Sequence, residues 1–212
     1  MKISPTKINT FRWCKRQYYY KYILKLPTIQ TPQMERGVYV HELMSAYIRN
    51  AELPMHENEW ILESGHQIFS NILKGWEDLG FKNGISEFEI WKREGEDEIG
   101  GIIDFFNNDV IVDFKAVDKL KEWRNPIQLS IYRFVIGRRY RYFYLQANET
   151  NYKILELTNR DMDFWEIEWR KTIDEIKEYE MKYFLADIPF PAKRTKYCKQ
   201  YCSFYEQCNK KI

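Results

Sequence analysis

No run of about 18 apolar residues occurs in the 212-residue sequence, which excludes an expected membrane span. The N-terminus lacks the apolar stretch and small-residue cleavage site of a secretory signal. A cytoplasmic setting is therefore expected, the host cytoplasm if the source is viral. In such a reducing compartment the four cysteines are poor candidates for disulfides and better ones for metal binding or catalysis. A Gly-rich nucleotide loop, an internal repeat and a low-complexity tract are also missing. Acidic residues are absent from the first 34 positions, which carry seven basic ones, Lys2, Lys7, Arg12, Lys15, Arg16, Lys21 and Lys25. Residues 192–212 hold six basic residues against Glu206, so within a net charge of +2 the two ends carry +7 and +5 and the body −10. That total neither requires nor excludes a nucleic-acid partner, but basic ends on an acidic body are a sharper signal. An aromatic content of 17% excludes disorder and supplies stacking surfaces.

The first segment, from Ser4-Pro5 through the Tyr18–Tyr20 run, predicts two short helices meeting near Cys14. Amphipathic spacing predicts helices over about 35–49 and 59–79. At Ser86 the period changes, and SEFEIW, EIGGIIDFF and VIVDFKA read as an antiparallel meander whose last pair is a hairpin around Asn107-Asn108. A helix beginning near Pro126, two strands around the ANETN turn and a long helix over about 161–184 complete an α/β or α+β sandwich with a mixed sheet.

On a strand, Asp113 and Lys115 project from one face, and a short hairpin brings Asp104 beside Asp113. Apolar neighbours make these interior strands, where unpaired charge is costly. Two close carboxylates suit a hard divalent cation, and a nearby lysine can orient a water or steady charge developing on phosphorus. A structural salt bridge between Lys115 and one aspartate is the competing account. His41 lies on the predicted helix with Arg36 and Gly37, as an additional metal ligand or as a packing residue. Gln128 and Tyr132, four apart, share one helix face, either reaching a bound phosphate or the lysine or hydrogen-bonding within the core. Glu87 and Glu89 enter only as neighbours of this group.

Cys14 stands near one end, and Cys198, Cys202 and Cys208 crowd as C-x3-C-x5-C near the other. Four thiolates suit tetrahedral zinc or a [4Fe-4S] cluster, and the cysteines can equally share no centre. Histidine is absent from the tail, which removes a mixed Cys/His finger.

The ordered set of FRWCKRQYYYKY with Cys14, RGVYVHE with His41, GIID with Asp104, DFK from Asp113 to Lys115, QLSIY from Gln128 to Tyr132, and the terminal cysteines resembles the RecB-like branch of the PD-(D/E)xK nucleases. Within it, the likeness is to iron–sulfur members such as CRISPR-associated exonucleases and viral recombination nucleases. The departures are three residues between Cys198 and Cys202, and Lys15 where a proline is usual. The resemblance implies a restriction-endonuclease-like α/β core with a mixed central sheet over 86–191, an N-terminal helical subdomain over 1–85, and a C-terminal iron–sulfur region over 192–212. It further implies that His41, Asp104, Asp113 and the Phe114 carbonyl bind Mg²⁺ or Mn²⁺. Lys115 assists water attack, Gln128 and Tyr132 line the site, and Cys14, Cys198, Cys202 and Cys208 hold a [4Fe-4S] cluster. The implied activity is a metal-dependent deoxyribonuclease, an exonuclease on single strands or frayed ends. An endonuclease or flap nuclease, or a CRISPR-adaptation module in antiviral defence, is the alternative. CRISPR integration proteins or viral recombination proteins would be partners beside DNA.

Overall fold

The computed structural model describes residues 1–122 and 126–209. The start of the KEWRNP segment and the end of the basic tail fall partly on residues 123–125 and 210–212, outside the described residues. Strand β1 (Lys2–Ile3) leads into α1 (Pro5–Trp13), capped by Ser4, whose side chain accepts from the Lys7 amide. Extended backbone at Cys14 separates α1 from α2 (Lys15–Tyr18), which runs into one π-helical turn, Tyr19–Ile23. Helix α3 (Pro32–Ile48) begins three residues before the sequence expectation. Pro32 sits in the first turn behind the Thr31 cap, where its missing N–H costs nothing. Helix α4 (Glu59–Leu79) runs from an Asn58 cap to left-handed Gly80.

Strands β2 (Ile85–Glu94) and β3 (Asp97–Phe106) form a long hairpin closed by a two-residue turn in which Gly95 has φ 60. That first central position is the one where such a turn favours glycine. Then come β4 (Val110–Ala116), α5 (Ile127–Ile136), β5 (Arg141–Ala147), β6 (Tyr152–Leu157) and α6 (Asn159–Ala186), the last with a Thr158–Asp161 capping box. The chain ends in short α7 (Cys198–Tyr201) and α8 (Tyr205–Asn209).

The mixed sheet has the order β1-β3-β4-β5-β6, with β2 on β3 as well, and only β1–β3 and β4–β5 are parallel. Helices α3 and α4 cover one face, where Val40, Leu43, Ile68, Ile72 and Trp76 pack on Phe105, Val112, Phe114 and Leu145. The other face meets α5 and α6 through Ile103, Ile111, Leu129, Tyr132, Tyr144 and Met162. Strand β1 and α1 join that layer through Ile3, Ile8, Ile131 and Trp169. Buried Arg133 ties α5 to α6 through Asp163 at 2.7 Å and Glu166 at 3.2 Å. Among the described residues no helix is long and apolar enough to cross a membrane.

The C-terminal iron–sulfur region expected from the cysteines is corrected. Cys14, Cys198, Cys202 and Cys208 are free thiols that border one cavity of about 220 Å³. The Lys193 amide donates to the Cys14 sulfur at 3.4 Å and the Thr195 amide to the Cys198 sulfur at 3.2 Å. No three of them form a group with ligand atoms within 4.8 Å of one another, and the group that does lies centrally, at His41, Glu87 and Asp104. The mixed α/β core with its N-terminal helices is as expected.

Gly100 on β3 tests the hairpin packing. A Cβ there would stand 2.0 Å from the Ile90 carbonyl oxygen and 2.8 Å from the Trp91 Cα, both backbone atoms that no rotamer change can move. G100A is expected to lower stability by at least about 2 kcal/mol, read as a fall in the urea midpoint at unchanged slope.

Candidate active site

Alternation along β4 sends Val110, Val112 and Phe114 to the α3–α4 face and Ile111, Asp113 and Lys115 to the other. Asp113 is fully buried, and its carboxylate pairs with Lys115. The Lys115 ammonium stands 2.5 Å from Oδ2, and Oδ1 is buried with no hydrogen-bond partner. Lys115 also donates to Gln128 Oε1 at 2.9 Å. Gln128 Nε2 donates in turn to the Tyr132 hydroxyl at 2.9 Å, and Tyr132 donates to the Ile102 carbonyl. One chain of contacts thus links Asp113, Lys115, Gln128 and Tyr132 from β4 to α5 and back to β3.

Asp104 arrives from β3. The β3–β4 register pairs Phe105 with Val112 and Phe106 with Ile111, making Asp104 and Asp113 the next positions. Ladder pairing stops there, and the Phe114 amide donates to Asp104 Oδ2 at 2.7 Å instead. The two-residue alternation of β3 also fails at this point. Ile103 packs with α5 and α6, whereas Phe105, two residues on, packs with α3 and α4. Across the hairpin, between the pairs Ser86–Phe105 and Phe88–Ile103, Glu87 has φ 54, a left-handed conformation that a non-glycine residue adopts at a cost of about 1–2 kcal/mol. The irregularity turns Glu87 toward Asp104, and α3 brings His41 Nδ1 to 3.4 Å from Asp104 Oδ1. His41, Glu87 and Asp104 each offer a ligand atom within 4.8 Å of the others. Glu87 is the residue sequence reasoning left at the margin. The glycine at the first position of a two-residue turn was the signal, because it fixes the register that sets Glu87 opposite Asp104.

These groups titrate as a set. Burial pushes the Asp113 carboxyl above its ordinary range and Asp104 adds to this, while Lys115 opposes it. For Asp104, burial acts upward, but His41, Lys115 and the Phe114 amide prevail and hold it below that range. Burial disfavours a charged His41, yet Asp104 outweighs it and the imidazole pKa is raised. Tyr132 is held protonated by burial and by Asp113 and Asp104. The convergent His41 imidazole, Glu87 and Asp104, with buried Asp113 next to Asp104, are a donor set suited to a hard divalent cation. The site opens into a groove of about 1080 Å³ whose walls include His41, Glu42, Arg49, Pro54, Glu87 and Lys115.

A family model described as the PD-(D/E)XK nuclease superfamily matches residues 2–209. No curated protein matches the chain. Among solved structures, one from Eubacterium rectale named "Putative exonuclease" aligns at TM-score 0.71 with 13% identity, covering 100% of this chain and 89% of that one, a likeness of fold. Another, named SSO0001, aligns at TM-score 0.48 with 18% identity over 100% of this chain and 87% of that one. The resemblance to an iron–sulfur, CRISPR-associated or viral recombination branch is corrected. The family model describes the superfamily as a whole, and the metal-ligating group is built of His41, Glu87 and Asp104 rather than cysteine. The [4Fe-4S] cofactor and the antiviral setting fall with that branch.

Because Asp113 binds its proton more tightly folded than unfolded, its contribution to metal-free stability is present at low pH and is lost as pH rises through its raised pKa. D113N, neutral throughout, is expected to unfold in chelator near neutral pH at a temperature equal to or above that of wild type. A Mn²⁺-induced rise in the wild-type unfolding temperature should be larger near neutral pH than in acid, since binding displaces that proton. Calorimetric scans with and without Mn²⁺ across pH check both.

Proposed function

Since this chain belongs to the PD-(D/E)XK nuclease superfamily, we propose that it is a divalent-metal-dependent deoxyribonuclease that hydrolyses single-stranded DNA or frayed ends from a terminus. The observation that carries this reading is buried Asp113, with Oδ2 on Lys115 and Oδ1 without a partner, beside Asp104 at the end of an open groove. In the proposal His41, Glu87, Asp104 and Asp113, with the Phe114 carbonyl, hold Mg²⁺ or Mn²⁺. When bound, the ion supplies Lewis-acid polarisation of the phosphate and lowers the pKa of water.

The rest is the work of this chain's own groups. Lys115, tied to Gln128 at 2.9 Å, keeps its ammonium where it can orient a water oxygen toward phosphorus. As that oxygen bonds to phosphorus, the bond from phosphorus to the leaving sugar oxygen breaks. The water proton leaves to solvent, and the departing oxygen gains one. Gln128 and Tyr132 are positioning residues, since Tyr132 is anchored on the Ile102 carbonyl and fixes Gln128, which fixes Lys115. The buried hydroxyl of Tyr132 stays protonated and keeps donating. The preference for an end is the finer part of the proposal. The name exonuclease on a structure of the same fold favours it, while the side chains around phosphorus govern hydrolysis and not the need for a terminus.

Labelled linear single strands are expected to be cut with Mg²⁺ or Mn²⁺ and not in chelator. D113A or K115A should slow cleavage at least about 100-fold, the scale of a lost positioned group in phosphate chemistry, in protein that remains folded by circular dichroism. Equal rates for wild type and folded D113A would overturn the site. A circular single strand should survive conditions that consume the linear one, and early nicking of the circle would replace the exonuclease by an endonuclease.

A further inference from the structure

We infer that Arg49 grips a backbone phosphate a few nucleotides from the one that is cut, and so sets the register of the strand in the groove. The inference rests on the nuclease reading and adds a positioning residue to it. The groove that opens from the metal-ligating group is lined by the acids Glu42, Glu52 and Glu87 and by two cations, Lys115 and Arg49. Lys115 is already engaged, 2.5 Å from Asp113 and bonded to Gln128. Arg49 differs from Arg36, Arg133, Arg141 and Arg170, each of which pairs with one or more carboxylates. Among the described residues, the hydrogen bond of its side chain runs from Nε to the Ser45 carbonyl at 3.2 Å, and no carboxylate lies within ion-pair distance. A polyanion entering a groove rich in acid therefore meets one cation that is held in no ion pair.

The geometry also prepares Arg49 for a phosphate. It caps the C-terminus of α3, and its Nε is held by a carbonyl of the last turn, where the helix end favours a cation. With Nε fixed, the two terminal nitrogens are left to fork onto phosphate oxygens. Ser45 in turn donates through Oγ to Ser86 at 3.0 Å, and Ser86 adjoins Glu87 of the metal-ligating group. The charge of Arg49 is close enough to Glu87 to oppose the upward push that burial and Asp104 give its carboxyl. A short chain of contacts thus holds the guanidinium in a fixed relation to the cleavage site. Arg49 follows His41 by eight positions, about 12 Å of axial rise between their backbones, and its side chain folds back toward Ser45, so the phosphate it meets lies within about three nucleotides of the one cut.

Steady-state cleavage by wild type, R49A and R49K is compared on a labelled 20-nucleotide single strand and on a dinucleotide, over a range of salt with Mn²⁺ held constant. R49A should raise KM on the long strand about tenfold, the scale of one charge-assisted contact. It should also flatten the dependence of log KM on log salt by about 0.7, one phosphate contact of a single strand. The KM ratio of R49A to wild type should shrink toward one on the dinucleotide, which is too short to reach Arg49. R49K should keep the salt dependence while losing part of the affinity, and it carries the test if R49A does not fold. Equal salt dependence in wild type and R49A, or an equal loss on both substrates, would overturn the assignment and leave the nuclease reading intact. If wild type cuts neither substrate, the nuclease reading fails and takes Arg49 with it.

Discussion

The pairing of β2 with β3 across a two-residue turn is the constraint on which the site depends. With Gly95 in a left-handed conformation at the first turn position, the register is set, and each β2 residue but Glu87 has a ladder partner on β3. Gly100 falls against the Ile90 carbonyl, so the strands approach where a side chain would hold them apart. Glu87 falls opposite Asp104, where the alternation of both strands breaks. Ser86 faces α3 through Ser45, while Phe88, two residues on, packs with the opposite cluster. The same break on β3 separates Ile103 from Phe105. A regular sheet would bury one of these acids or expose one of the apolar residues. The local left-handed backbone at Glu87 lets the sheet keep both faces apolar and still gather its acids at one point.

The cost of that gathering is electrostatic. Asp113 is enclosed with Lys115 on one oxygen and no partner on the other, and the neighbouring Asp104 is a second negative charge. Lys115, His41 and the Phe114 amide offset the pair only in part, since their help to Asp104 leaves Asp113 high. Such a set is a poor device for stability and a good one for a ligand that brings two positive charges. The hydrogen-bond chain through Gln128 and Tyr132 to Ile102 belongs to the same logic, because it spends the polar groups of α5 on holding a lysine in place.

The basic N-terminal end of the chain finds a different use from the one its composition suggests. Lys15 pairs with Glu175 at 3.0 Å, Arg12 with Glu168 at 3.8 Å, and Arg16 donates to the Phe190 carbonyl. Tyr18 adds a hydrogen bond to Glu180 at 2.6 Å. The positive N-terminal segment is thus matched to the acidic α6 and docks the first helices on it. The tyrosines of that segment pack with Phe190 and Phe204 instead of offering faces for stacking bases.

Most of the element order was legible because its signals are local. Asn58 and Gly80 bound α4, the Thr158–Asp161 box opens α6, and alternation marks the strands. The same-face placement of Asp113 and Lys115, and of Gln128 and Tyr132, follows from strand and helix periods alone. Strand β1 was not legible, since two residues carry no period and Ile3 is fixed only by its pairing with Ile99. The cysteine reading went astray for a related reason. Spacing along a chain counts ligands but says nothing of whether the sulfurs converge, and here the convergent set is His41, Glu87 and Asp104. By itself the sequence determined the elements, the faces they bury and the residues able to do chemistry, because these depend on periods of two and 3.6 and on caps. Only the tertiary structure decided that Glu87 turns inward, that Lys115 is engaged while Arg49 is free of carboxylates, and that the basic N-terminal segment neutralises α6. Those outcomes depend on register and on distances between segments far apart in the chain.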